Sequence, residues 1–197
     1  MEKTFNTLID SFIDDEVGIA DNFLSAALAA HLTDNITALY QHQKLLAAGT
    51  GNGKLVVHDL LVRSDKIYWL DRKHNNVHEN AFFDLMDEFV SYLNSTCYTG
   101  ITGYEFHYTV YEKGSFYKKH IDQFKQNGSR KYSMIFYLNA DWVTADGGEL
   151  CLHHKDSKQF IAPMLGKSVL FKSNELEHEV MPCTKQRISI TGWLKGN

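Results

Sequence analysis

Only Pro163 and Pro182 occur in 197 residues, and no repeat or low-complexity tract interrupts the chain. Nothing therefore marks a boundary between domains, and the length is enough to bury a core, so one domain over 1–197 is expected. Cysteine is also scarce. Cys97, Cys151 and Cys183 are odd in number and widely spaced, with no Cys-x-x-Cys, which argues against structural zinc and suits a reduced, cytoplasmic location. No run of Lys or Arg gives a basic footprint, and the formal net charge is −4 with a pI near 6.2, so no nucleic-acid partner is expected. Residues 1–20 carry Glu2, Asp10, Asp14, Asp15 and Glu16, which excludes a signal peptide or membrane span there, and no membrane association is expected. Oligomeric state leaves no mark in the sequence.

The remainder, 44% hydrophobic and 22% charged, is ordinary for a globular protein. Leu28, Leu32, Ile36 and Leu39 step at helical spacing behind Ser25, a candidate N-cap, and Gly49 to Gly53 reads as the turn that ends this helix. Phe82, Leu85, Met86, Phe89 and Leu93 form the apolar face of a second helix over about 80–93. From Tyr104 the texture changes to short β-rich runs. These are Tyr104–Tyr111, Lys131–Leu138, Gly148–His153, Ser168–Phe171, His178–Met181 and Arg187–Trp193, separated by Gly, Asp, Asn and Ser clusters. Helices followed by many short strands predict an α+β fold: a jelly roll (double-stranded β-helix) core over about 101–197, with helical support over about 1–100.

Three residues near the middle and end of that core carry chemistry. His120 and Asp122 are separated by one residue, which on a strand places both side chains on one face. Adding the distant His178 gives two imidazoles and a carboxylate, the facial ligand set of non-haem Fe(II) oxygenases. Arg187 and Ser189 share a face on a later strand with Thr191 and Trp193, while Ile188 and Ile190 take the other. An Arg on the same side as Thr and Trp fits a polar pocket, where a guanidinium fork and a hydroxyl can hold one carboxylate of a dicarboxylic acid. His153 and His154 are adjacent, so on a strand they point apart and read as surface or packing residues.

These residues lie in an order that resembles the prolyl-4-hydroxylase branch of the 2-oxoglutarate oxygenases, in particular the hydroxylases that modify hypoxia-inducible factor and their bacterial relatives. The likeness runs from about Val17 to Trp193. Val62 to Trp69 is similar to that group's Arg-Gly-Asp-x-Ile-x-Trp segment, with Ser64 in place of Gly. Tyr111 to Asp122 is similar to its tyrosine-led approach to His-x-Asp, one residue shorter around Gly114 and Ser115. Met134 to Asn139, Gly147 to Leu150, His178 to Val180 and Arg187 to Trp193 match as well.

The resemblance implies Fe(II) on His120, Asp122 and His178, with 2-oxoglutarate and O₂ as co-substrates and ascorbate as a candidate reductant. It implies that Arg187 grips the distal carboxylate with help from Tyr137, and that Tyr111 and Thr191 line the co-substrate side. Arg63, Asp65, Tyr117, Arg130 and Trp193 would sit where a protein or peptide with an exposed proline approaches, and Val62 to Asp71 would be a mobile segment over it. Bacterial relatives make a translation factor such as elongation factor Tu the first candidate substrate. A carboxylate at Asp122, where related halogenases leave a vacancy, implies hydroxylation. Alternative readings are the same chemistry on a free amino acid or other small molecule, and a silent iron-binding sensor module. A nucleic-acid demethylase is disfavoured by the acidic balance.

Overall fold

The computed structural model describes residues 2–49, 59–123 and 127–197. Three α-helices are present among them: α1 (Glu2–Asp15), α2 (Ala26–Gln41) and α3 (Val77–Cys97). Ser25 caps α2, its hydroxyl accepting from the Leu28 amide at 3.2 Å, and Ala29, Leu32 and Ile36 are the buried stripe. The helix does not run to the glycine cluster. It stops at Gln41 because Gln43 turns into the left-handed region (φ 56°), and a short strand, β2 (Leu46–Ala47), follows. Residues 50–53 of the expected turn lie outside the described residues. Asn76 caps α3 by accepting from the amides of His78 and Glu79, so this helix begins three residues earlier than the apolar stripe alone indicates. No helix among the described residues is long and apolar enough to cross a membrane.

The strands form two antiparallel sheets. β1 (Val17–Asp21), β2, β3 (Lys66–Trp69), β4 (Ile101–Tyr111), β6 (Arg130–Tyr137), β9 (Lys167–Lys172) and β11 (Arg187–Gly196) make a seven-stranded sheet in the order β1-β9-β6-β11-β4-β3-β2. β5 (Tyr117–His120), β7 (Leu150–His153), β8 (Lys158–Ile161) and β10 (Glu177–Val180) make the smaller one, ordered β5-β10-β7-β8. This is the jelly roll expected, with two corrections. Three strands precede Ile101, so the first hundred residues are not purely helical support: β1 seals one edge of the large sheet against β9, and β3 pairs with β4 near the other. The strand expected from Gly148 begins at Leu150, because Gly147 and Gly148 have φ of 67° and 68°, a backbone that cannot enter a strand.

Strand alternation divides the interior into two cores. Phe106, Tyr108 and Val110 of β4, Met134 and Phe136 of β6, and Ile190 and Leu194 of β11 face the helices, meeting Phe5, Leu8, Leu32, Ile36, Phe82, Met86 and Phe89. The opposite parity faces the small sheet: Ile135 and Tyr137, with Val169 and Phe171, pack against Leu150, Leu152 and Val180. The large sheet thus lies between helices and a second sheet, and the jelly-roll mouth opens beside the second core.

Candidate active site

At that mouth His178 and His120 are cross-strand partners, joining β10 to β5. His120 Nε2 lies 3.4 Å from Asp122 Oδ1, His178 Nε2 lies 3.5 Å from Asp122 Oδ2, and the donor atoms of the three residues all fall within 4.8 Å of one another. Each imidazole is held the same way: His120 Nδ1 donates to the Lys118 carbonyl (2.8 Å) and His178 Nδ1 to the Leu176 carbonyl (3.1 Å). A carbonyl partner requires Nδ1–H, so both Nε2 lone pairs are free and turned toward the carboxylate, as metal-binding histidines require. Burial, then the neighbouring His120, lowers His178 to a pKa of about 4, so it is neutral at pH 7. Burial works against ionisation of Asp122, but the facing His178 and His120 and the Ser133 hydroxyl outweigh it and hold the carboxyl far below the ordinary range. Two lone pairs and a carboxylate converging on one point is a donor set for a divalent cation, and the residues fit Fe(II).

Asp122 does not share a strand with His120, contrary to the expectation. β5 ends at His120, and Asp122 lies in the bend beyond it. Ser133 of β6 places it, donating to Oδ2 at 2.6 Å while meeting Ser173 at 2.9 Å. Across a cleft of about 760 Å³, Arg187 is 1% exposed. Its Nε donates to the Gly148 carbonyl at 2.8 Å, and its guanidinium lies 4.9 and 5.1 Å from the ring centroids of Tyr111 and Tyr137. No carboxylate among the described residues pairs with it, and the Tyr137 hydroxyl is buried with no hydrogen-bond partner. A buried unpaired cation beside an orphaned hydroxyl is costly unless an anion completes both. Gly148 makes the arrangement possible: a Cβ there would stand 3.2 Å from Arg187 Cδ and 3.0 Å from Cys183 Cβ, on a backbone of positive φ.

The remaining site candidates fall around the same cleft. Tyr111, Thr191, Arg63, Asp65, Tyr117, Arg130 and Trp193 all line it, as do the apolar Ile135, Leu150 and Val180. Ser189 does not. It is fully buried, its hydroxyl 3.3 Å from that of Thr191, behind the wall. Arg63 is committed to Asp65 through two contacts (2.8 and 2.6 Å), and Arg130 to Glu105 (2.8 Å) while stacking 3.3 Å over the Trp193 ring. The segment from Val62 to Asp71 is anchored in its second half, where β3 pairs residue for residue with β4 from Lys66↔Val110 to Trp69↔His107. His153 and His154 do point apart, toward Glu179 and Gln159.

Three contributors escaped the sequence reading. Ser133 sits on a strand read only for its Tyr-Leu-Asn end. Gly148 acts through a carbonyl, which no side-chain pattern reports. His107 lines the cleft, 4.9 Å from the Trp69 ring and 5.6 Å from that of Trp193. It shares strand parity with Thr109 and Tyr111, and that parity was available to find it.

Residues 106–195 match the model of the 2OG-Fe(II) oxygenase superfamily. A PKHD-type hydroxylase of Maricaulis maris is 29% identical over 86 residues, 43% of this chain, and that match spans 39% of the relative's length. Among solved structures, a Pseudomonas putida prolyl-4-hydroxylase superposes with a TM-score of 0.86 at 27% identity, covering 98% of this chain and 100% of that one. A Trichoplax adhaerens prolyl hydroxylase, in complex with a hypoxia inducible factor oxygen degradation domain peptide fragment, gives a TM-score of 0.86 at 25% identity, covering 98% and 90%.

Proposed function

We propose, from the match of residues 106–195 to the 2OG-Fe(II) oxygenase superfamily model, that the chain is an oxygenase of that kind and hydroxylates a prolyl residue of a protein substrate, with succinate and CO₂ as co-products. Fe(II) is held by His120, Asp122 and His178, and 2-oxoglutarate by Arg187 and Tyr137. The observation that carries the co-substrate assignment is the buried Arg187 without a carboxylate beside a Tyr137 hydroxyl without a partner. A dicarboxylic acid reaching from the metal to that corner satisfies both.

When bound, Fe(II) with 2-oxoglutarate and O₂ supplies the oxidising power to place one oxygen atom on an unactivated C–H bond. The protein's part is orientation and exclusion of water. His120 and His178 present fixed Nε2 lone pairs, and Asp122 brings the charge that balances a divalent ion. Ile135, Leu150 and Val180 give the co-substrate's end of the cleft apolar walls, which strengthen the Arg187–carboxylate pair. Burial pushes Tyr111 well above its ordinary pKa and Tyr117 to about 12, so both hydroxyls remain donors.

Trp193, roofed by Arg130, offers a flat wall for a pyrrolidine ring. The support for a peptide is the 0.86 TM-score to a prolyl hydroxylase whose structure holds one. A prolyl site in a translation factor such as elongation factor Tu, in the cytoplasm, is the first candidate. The test is incubation with Fe(II), 2-oxoglutarate and ascorbate against candidate proteins and proline-containing peptides, read as a gain of about 16 Da on proline, one oxygen atom. Efficient turnover of a free amino acid with no proline modified in any protein would overturn the prolyl assignment and leave the oxygenase assignment standing.

A further inference from the structure

The small sheet has an outer face as well as the inner one that meets the cleft. On it Cys151 and His153, two apart on β7, share a side, and Glu179 of β10 is the direct cross-strand partner of Cys151. His153 Nε2 lies 2.9 Å from Glu179 Oε1 and 3.8 Å from Cys151 Sγ, and all the donor atoms fall within 4.8 Å of one another. One imidazole nitrogen has a single lone pair or a single proton to offer, yet a carboxylate oxygen and a sulfur both converge on it. The Glu179 carboxylate can accept from both His153 and the Cys151 thiol, so the three donor atoms are already gathered where one cation could replace the two protons. A cation between them satisfies all three. With metal–nitrogen and metal–oxygen bonds of about 2.0–2.2 Å and metal–sulfur of about 2.3 Å, tetrahedral donors stand roughly 3.3–3.7 Å apart. The observed separations are within about an ångström of that.

We propose that Cys151, His153 and Glu179 form a second divalent-metal site, of the zinc class, on the face of the small sheet opposite the iron centre. Thiolate, imidazole and carboxylate together select a borderline-soft ion, and three protein ligands leave a fourth position for water. The donor set differs from that of the cleft, where no sulfur is present. Glu177 on the same face adds negative charge and is paired with Lys119 at 2.7 Å, while Lys158 of β8, the cross-strand partner of His153, is exposed and its charge acts on Cys151. Bound metal ties β7 to β10 from outside, next to His178. The cysteine spacing gave no sign of this site because its third ligand comes from another strand.

Anaerobic titration of the full chain with Co(II), in a phosphine rather than a thiol reductant, tests it. The native protein should take up a second equivalent and develop a thiolate-to-cobalt charge-transfer band in the near ultraviolet, which the sulfur-free iron site cannot produce. His120→Ala/Asp122→Ala should lose one equivalent and keep the band, so failure of the iron-site reading does not touch this result. Cys151→Ser and His153→Ala should each lose the band and retain the other equivalent, and Zn(II) should bleach it in the native protein. His153 is only partly buried, so His153→Ala decides the matter if Cys151→Ser does not fold. Absence of the band in native protein, or its survival in His153→Ala, overturns the proposal.

Discussion

Tyr117 lies flat against His120, ring centroids 3.5 Å apart and planes within 16°, while the Arg63 guanidinium stands 4.1 Å from the Tyr117 centroid. The Arg63–Asp65 pair therefore reaches the proposed metal site indirectly, by fixing a ring that packs on His120. Tyr117→Phe, which keeps the stacked ring, should leave metal affinity near that of the native protein. Tyr117→Ala should weaken it by roughly 10–100-fold, the usual cost of losing a group that orients a ligand. Equal Fe(II) or Mn(II) affinities for the two variants would show that the Lys118 carbonyl alone orients His120.

Asp122 and its support should separate by degree. Asp122→Ala should abolish 2-oxoglutarate turnover while circular dichroism shows an intact fold, since Asp122 lines the cleft and belongs to neither apolar core. Ser133→Ala removes the 2.6 Å bond to Asp122 Oδ2 and should retain turnover at raised metal concentration. Native-like succinate production by Asp122→Ala would rule out the ligand assignment.

Arg187→Ala should weaken 2-oxoglutarate binding by roughly 2–5 kcal/mol, the range for truncating one member of a buried charged pair. Tyr137→Phe removes a neutral donor and should cost about 1 kcal/mol. Calorimetric titration of the metal-loaded protein measures both, and unchanged affinity in Arg187→Ala would place the acid elsewhere.

His107 gives a pH signature. Burial first, and the nearby Arg63 charge second, lower its pKa from 6.5 to about 4, so the fold requires the neutral ring. An unfolded chain binds this proton below about 6.5. Stability is therefore intact above that pH, declines as pH falls toward 4, and is flat below, for a total on the order of 3 kcal/mol from this residue. Urea unfolding of metal-free protein between pH 7 and pH 4 should show a shallower loss for His107→Gln than for native protein. The contribution of His178 is common to both and cancels. Identical slopes would refute the assignment.

The readable parts of this molecule are those written in local periodicity. The stripes of α2 and α3, the Ser25 cap and the alternation of Arg187 to Trp193 were legible because each depends on neighbours a few residues away. β1 and β3 were not, because strands of five and four residues take their structure from pairing with β9 and β4, distant in sequence. The order of His120, Asp122 and His178 along the chain singles out the three donors that converge, but a shared strand is not what joins the first two: Asp122 lies beyond β5 and is held by Ser133 on another strand. Asp65 lines the cleft with its carboxylate paired to Arg63, a pairing two residues apart that strand alternation permits but does not demand.

The alternation of β11 carries a further consequence. Arg187, Thr191 and Trp193 reach the cleft because Ile190 and Leu194 go to the helices, and the strand is clamped on both sides, by β4 and by β6. Inserting or deleting one residue within it would exchange the two faces, turning the guanidinium into the phenylalanine-rich core and isoleucine into the cleft. Fold and chemistry here share one reading frame, so sequence drift in this strand can proceed by substitution and not by length.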